Sequence, residues 1–247
     1  MEKIIIITGA SSDLGMAYIK ENAEDYDKII AHYHHGSERF ESLLSTYNDK
    51  ITAIRADFSD EQGVSSFVRQ LKEENIRPTH LLHLASLPVK SERFHKMDVA
   101  EYQAMMQVSL YSIIEILKVC IPAMQKQKYG KILFLLSAYT TIPNPKFAAS
   151  YTVSKYALLG LMKSVAAEYV SKGITVNGIS PQMIETKFIK DVPELMIEQH
   201  KAAAPLGRLM QTEDVLPFMK LLLSDDSAAI TGENVCLGGG SMTYRVG

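Results

Sequence analysis

The chain has 247 residues, 47% of them hydrophobic and 22% charged, with a net charge of −2; this is enough apolar material for one large α/β core, with no basic surplus to draw nucleic acid or an anionic membrane. Its two cysteines, Cys120 and Cys236, form neither a C-x-x-C pair nor a disulfide framework, which suits a reducing, cytoplasmic setting. The apolar start from Ile4 to Ile7 is too short for a signal sequence, and no run approaches membrane-spanning length.

Along the chain, short Ile/Val/Leu runs alternate with longer amphipathic stretches, the pattern of parallel β-α-β units. Predicted strands cover 4–8, 28–33, 51–55, 80–85, 131–137, 175–179 and 234–237. The clearest predicted helices cover 14–24, 60–74, 99–128 with a kink at Pro122, 150–171 and 212–223. Together they specify an α/β class chain: a single-domain, Rossmann-type, doubly wound parallel sheet of about seven strands. The stretch 185–205 lacks a strand pattern and carries Phe188, Ile189, Val192, Leu195, Met196 and Ile197 between polar residues, as a partly helical substrate lid would.

Two motifs bear chemistry. After the first strand comes T-G-A-S-S-D-L-G, from Thr8 to Gly15. There Gly9 permits a tight turn and Gly15 lets the next helix pack close, so that its N-terminal amides can face a pyrophosphate. Farther on, Tyr151 and Lys155 stand four residues apart in S-Y-T-V-S-K, with Ser137 fourteen residues before the tyrosine. On a helix that spacing puts phenol and ammonium on one face, where the cation favours the ionised phenol and makes it a usable acid/base.

These segments, with G-K-I-L-F-L-L-S ending at Ser137, G-I-T-V-N-G-I-S-P from Gly173, P-L-G-R from Pro205 and S-D-D-S-A-A-I-T-G-E from Ser224, run in an order that resembles the short-chain dehydrogenase/reductase family, closest to the 3-oxoacyl-(acyl carrier protein) reductase type. The resemblance covers essentially the whole length. It implies a nicotinamide-dependent oxidoreductase interconverting a ketone and a secondary alcohol. Tyr151 would pass the proton, Lys155 would hold the nicotinamide ribose and lower the tyrosine pKa, Ser137 would polarise the carbonyl, and Ser109 would stand where a relay asparagine is usual. The dinucleotide would lie against Gly9, Ser11, Ser12, Asp13, Leu14 and Gly15, then Tyr33, His34, Asp57, Phe58 and Ala85, and at the nicotinamide end Tyr151, Lys155, Pro181, Ile184 and Thr186.

Four segments depart from the family pattern. Asp13 replaces the middle glycine of the first motif, His83-Leu84-Ala85-Ser86 replaces Asn-Asn-Ala-Gly, Ser109 replaces the asparagine, and Gln182 replaces the glycine after Pro181. The end of the second strand, Ala31-His32-Tyr33-His34-His35, has no acid to bond a ribose 2′-hydroxyl, which favours NADP over NAD. Adjacent histidines on a strand point to opposite faces and no carboxylate or cysteine stands at ligand spacing, so no metal is expected.

Leu87, Val89, Tyr139, Ile142 and Met183 are candidates for an acyl-sized pocket. By resemblance, Lys128 and Lys172 match positions that are basic in reductases docking an acyl carrier protein, so the substrate is read as a small molecule or an acyl-carrier-linked one. The helices over 99–128 and 150–171, with Met105, Met106, Ile113 and Leu117, resemble the pair that forms a four-helix interface in a dimer or tetramer. The best reading is reduction of a 3-oxoacyl thioester; the alternatives are another small carbonyl or alcohol, or a nucleotide-binding regulator without turnover.

Overall fold

The computed structural model describes residues 1–141 and 146–240. Seven parallel strands form one sheet in the order β3-β2-β1-β4-β5-β6-β7: β1 Ile4–Thr8, β2 Lys28–Tyr33, β3 Ile51–Arg55, β4 His80–His83, β5 Gly130–Leu135, β6 Ile174–Pro181 and β7 Asn234–Leu237. The doubly wound arrangement read from the alternating runs is the one observed. Between the strands lie α1 Asp13–Asn22, α2 Glu38–Thr46, α3 Glu61–Glu73, α4 Val99–Met106, α5 Ser112–Gln127, α6 Ala149–Tyr169, α7 Glu194–Ala203 and α8 Thr212–Leu223.

The first strand shows why the sheet needs cover on both faces. Ile4 and Ile6 enter one core with Phe67 of α3, Ile116 of α5 and Met162 of α6. Ile5 and Ile7 enter the other with Tyr18 of α1, Phe40 of α2 and Met219 of α8. A strand buried on both faces reads as a continuous apolar run because side chains alternate between two helical layers.

Several boundaries move. Strand β4 stops at His83, where Thr8 takes over the next two amides: its carbonyl accepts Leu84 N–H at 3.0 Å and its hydroxyl accepts Ala85 N–H at 3.3 Å. Strand β5 stops at Leu135, because Ser137 becomes the N-cap of a 3₁₀ turn over Ala138–Thr140. Helix α2, absent from the clear predictions, starts behind Ser37, whose Oγ accepts Phe40 N–H at 3.2 Å. The long helix predicted over 99–128 changes its hydrogen-bond register at a π turn, Gln107–Tyr111, whereas Pro122 lies inside the uninterrupted α5. By length and mean hydropathy, 1.6 over its most apolar window, Val99–Gln127 also qualifies as a membrane-crossing helix, contrary to the expectation that no run would; half of that window is buried inside the protein, where Met105, Ile113, Leu117 and Cys120 pack into the core.

All strands being parallel, their C-terminal ends share one edge. The sheet order reverses between β1 and β4, which opens a crevice beside Thr8 and His83, the usual place for a ligand in such sheets.

Candidate active site

Along that edge runs a cleft whose walls include Ser12, Asp13 and Leu14 at one end, Ser137, Tyr151 and Lys155 in the middle, and Pro181, Ile184, Thr186, Phe188, Met196 and His200 opposite. Gly9 makes the turn possible: its φ is +70°, and a Cβ there would meet Ala85 N at 3.0 Å. At Gly15 a Cβ would lie 2.7 Å from Ala10 O, so only glycine lets α1 settle on the loop. Ser12 caps the helix, donating to Gly9 O at 2.8 Å and accepting Gly15 N–H at 3.1 Å. Asp13 opens α1 and is not among the residues with positive φ, so the turn does not need the glycine usual there. A helix N-terminus in a close-packed glycine turn fits the pyrophosphate of a dinucleotide, and its cleft leads to Tyr151.

Helix α6 carries Tyr151 and Lys155 on its buried face. The Tyr151 ring lies between Tyr139 and Phe188, with both centroids at 6.1 Å. Burial pushes the phenol above its usual range, and a hydrogen bond with Ser137, which favours the phenolate, pulls the other way. The Lys155 ammonium sits 5.4 Å from the Tyr151 ring centroid and donates to Leu135 O at 2.7 Å. Burial lowers its pKa to about 7. The sequence spacing assigns pKa control of Tyr151 to the lysine; in the structure the opposing influences on the phenol are its own burial and Ser137.

At the end of β2, away from the residues that line this cleft, Tyr33 closes the strand and His34 follows it, Nε2 at 3.6 Å from Asp57 Oδ2. Asp57 feels burial first, yet two hydrogen bonds from Ser59, 2.8 Å from N–H and 2.7 Å from Oγ, and the nearby His34 hold it below the usual carboxylate range. Phe58 is buried and stacked on His32, centroids 3.6 Å apart. His32 itself accepts Gly9 N–H on Nδ1 at 3.2 Å and donates from Nε2 to Ala56 O at 3.1 Å, so both ring nitrogens are committed. Ala85 backs the glycine turn and Ser11 is half-buried beside it. Of the pocket candidates, Val89, Tyr139 and Met183 line the cleft, Leu87 packs against the core, and Ile142 lies outside the described residues.

Ser109 does not line the cleft. It is fully buried, its hydroxyl points to the Met105 sulfur at 3.8 Å, and its carbonyl accepts His83 Nε2–H at 3.1 Å. The other His83 nitrogen accepts the Thr8 hydroxyl at 2.7 Å, while Thr8 Oγ1 accepts Leu84 N–H at 3.2 Å. This closed network beneath the cleft went unseen in the sequence, where His83 registers only as a departure. The lining residues Phe147, Lys146 and His200 were also missed, because nothing in their local sequence marks them.

A family model described as enoyl-(acyl carrier protein) reductase matches residues 9–242. The chain belongs to the short-chain dehydrogenase/reductase family. It is an oxidoreductase of that family. Among its relatives, the 3-oxoacyl-[acyl-carrier-protein] reductase of Staphylococcus aureus strain Mu50 is 26% identical over 97% of this chain and 98% of its own length. The Escherichia coli K12 protein of the same name is 28% identical over 96% of each. Among solved structures, levodione reductase superimposes with a TM-score of 0.88 at 24% identity over 98% of both chains. ElxO with NADP bound does so with 0.86 at 23% identity, over 99% of this chain and all of its own. In this short-chain dehydrogenase/reductase, His83, a departure in the sequence pattern, has two hydrogen-bond partners in the structure.

Proposed function

We propose that this protein reduces a ketone to a secondary alcohol with NADPH, with Tyr151 as the acid, Ser137 holding the carbonyl oxygen and Lys155 supporting the tyrosinate. The observation that carries the proposal is the convergence of those three buried groups on the cleft that begins at the α1 N-terminus. The reduced nicotinamide, when bound, supplies the hydride. Tyr151 gives its proton to the carbonyl oxygen as charge develops there, and the Ser137 hydroxyl hydrogen-bonds the same oxygen. The Lys155 ammonium, fixed on Leu135 O beside the ring, favours the tyrosinate left behind. Tyr139, Phe147, Phe188 and Val192 give the cleft around the proton transfer a largely apolar wall.

For the substrate, a 3-oxoacyl thioester is the best-supported choice: full-length relatives carry that activity in their names, and the cleft walls are mainly apolar. The description of the matching family model favours a second reading, reduction of a 2-enoyl thioester; the four-residue spacing of Tyr151 and Lys155 favours the ketone. Lys128 and Lys172 do not support carrier docking at this chain's own cleft. They are exposed and immediately precede β5 and β6, whose opposite ends bear the site, roughly 20 Å away at about 3.3 Å per strand residue. For the cofactor, the absence of an acid at the end of β2 and the presence of Tyr33 and His34 there support NADP over NAD. Of the expected interface residues, Met105, Ile113 and Leu117 are buried in the chain's own core and Met106 is half-buried; exposed Tyr111, Val153 and Tyr156 on the α5–α6 side support assembly as a dimer or tetramer instead.

The test is NADPH and NADH oxidation with a panel of 3-oxoacyl thioesters, 2-enoyl thioesters, diketones and small ketones. Turnover of a ketone with NADPH, absent in Tyr151→Phe, is the expected result. Turnover of enoyl thioesters alone, or NADPH binding with no turnover of any substrate, would overturn the proposal.

A further inference from the structure

Asp13 does something its position in the glycine motif does not require. Its carboxylate, mostly buried, reaches across the cleft: Oδ2 accepts the backbone N–H of Lys187 at 2.8 Å, a residue 174 positions away, and Oδ1 lies 3.3 Å from Arg39 Nη1. Lys187 opens the 3₁₀ turn Lys187–Ile189, and the residue before it, Thr186, supplies no side-chain cap; its hydroxyl goes instead to Ile184 O at 3.5 Å. The first N–H of a helical turn has no partner within the turn and needs an acceptor from elsewhere. Asp13 is that acceptor, so the dinucleotide loop caps the turn that starts the segment over the cleft.

The chain just before this turn is held independently. Glu185 N–H donates to Met210 O at 2.8 Å, Met210 N–H donates to Met183 O at 3.1 Å, and Gln211 Nε2 donates to Glu185 Oε2 at 2.7 Å. Beyond it, Phe188 packs its ring 6.1 Å from Tyr151, and Ile189, Val192, Met196 and His200 continue along the cleft wall. The Asp13 carboxylate therefore sits at the point where the fixed strand end becomes the cover, one residue from the side chain that meets Tyr151. It also begins α1, the helix whose N-terminus would receive a pyrophosphate.

We propose that Asp13 is a positioning residue that latches the start of the 186–203 segment to the dinucleotide loop, so that filling the dinucleotide cleft and closing the cover over Tyr151 are coupled. The proposal rests on the dinucleotide-reductase reading, but it concerns a tether that exists without turnover. Movement of the α1 N-terminus on binding is transmitted to Lys187 through one carboxylate, and Phe188 follows. Arg39 has a separate part: exposed and on α2, it pairs with the other carboxylate oxygen.

The test is amide hydrogen exchange over 186–203, with and without saturating NADPH, in the wild type, Asp13→Ala, Asp13→Asn and Arg39→Ala, alongside steady-state kinetics on whichever carbonyl the wild type accepts. In the wild type, NADPH slows exchange in 187–189 about tenfold or more. Asp13→Ala loses most of that protection at saturating NADPH and raises the carbonyl KM about tenfold, with a smaller effect on kcat. Asp13→Asn, which keeps an acceptor oxygen, recovers part of the protection, and Arg39→Ala keeps it. Unchanged NADPH-dependent protection in Asp13→Ala, loss of protection in Arg39→Ala equal to that in Asp13→Ala, or no effect of NADPH on exchange in the wild type overturns the latch. If protection depends on Asp13 while no carbonyl is turned over, the latch stands and the reductase proposal falls.

Discussion

Two buried polar clusters lie within the same edge of the sheet and behave in opposite ways. Beneath the crevice, Thr8, His83 and Ser109 form a closed set: the hydroxyl donates to Nδ1, Nε2–H donates to a carbonyl, and the remaining hydroxyl lone pairs take two backbone amides. His83 is neutral there, its pKa driven down to about 3 by burial and by the nearby Lys155 charge. Beside it, Ser137, Tyr151 and Lys155 form an open set. The phenol is pushed up, the ammonium is pulled down to about 7, and the walls of a cleft surround both. A satisfied network stabilises and locks; titratable groups with displaced pKa values at the wall of a cleft mark a place for proton transfer.

The comparison breaks most sharply at Tyr151. Tyr151→Phe keeps the ring between Tyr139 and Phe188, so the melting temperature should stay within a few degrees while kcat/KM for the carbonyl falls about 10²- to 10⁴-fold, as expected when a general acid is removed. A parallel fall in both quantities would mean that Tyr151 is structural.

The reverse pattern belongs to His83. His83→Ala strands the Ser109 carbonyl and the Thr8 hydroxyl in the core, at about 1–3 kcal/mol for each unsatisfied group plus the cavity. Urea unfolding should show a loss of about 4 kcal/mol. His83→Asn, with one donor and one acceptor, should restore part of it.

Acid should reveal His83, together with two further buried histidines, by linkage. His32, His80 and His83 have folded pKa values of about 4, 4 and 3, against 6.5 for the ordinary imidazole, in each case chiefly through burial. Below pH 6.5 the unfolded chain binds protons that the folded chain refuses. Stability is therefore full above that pH and falls as pH drops, levelling only once the folded histidines themselves titrate. Each contributes a slope approaching about 1.4 kcal/mol per pH unit. Urea midpoints measured from pH 7.5 to 4.5 should be flat at first and then decline steeply, and His83→Asn should shallow the decline. A flat profile throughout would show that these imidazoles are not held neutral.

The smallest stability effect is expected at Lys155. Its ammonium titrates near 7 in the folded protein against 10.5 ordinarily, so burying the charge costs stability below pH 7, and the cost fades as pH rises from 7 to 10.5. Lys155→Met removes that cost along with the bond to Leu135 O. The melting temperature at pH 6.5 should be unchanged or raised, while activity is lost; a large destabilisation would place Lys155 with His83 in the structural set.

The open cluster was more legible than the closed one. Tyr151 and Lys155 declare themselves by a spacing of one helical turn, and Ser137 by its place at the end of an apolar run. His83 meets Thr8 across 75 residues and the Ser109 carbonyl across 26, and such meetings exist only because β1 and β4 are neighbours and a π turn presents that carbonyl. Helix α2 escaped clear prediction because its start lies in a polar stretch, where the Ser37 cap is visible only once Phe40 is known to be buried.

What the sequence determined by itself is whatever short-range rules encode: strands buried on both faces as unbroken apolar runs, the glycines at 9 and 15 that allow the turn, and the pairing of Tyr151 with Lys155 on one helix face. Tertiary structure alone decided which group opposes the burial of the Tyr151 phenol, where the Lys155 ammonium finds its acceptor, which histidines are neutral, and that Asp13 caps a turn 174 residues away. The reason is physical. A pKa or a cap depends on desolvation and on partners that the sheet order brings together, and neither is a function of distance along the chain.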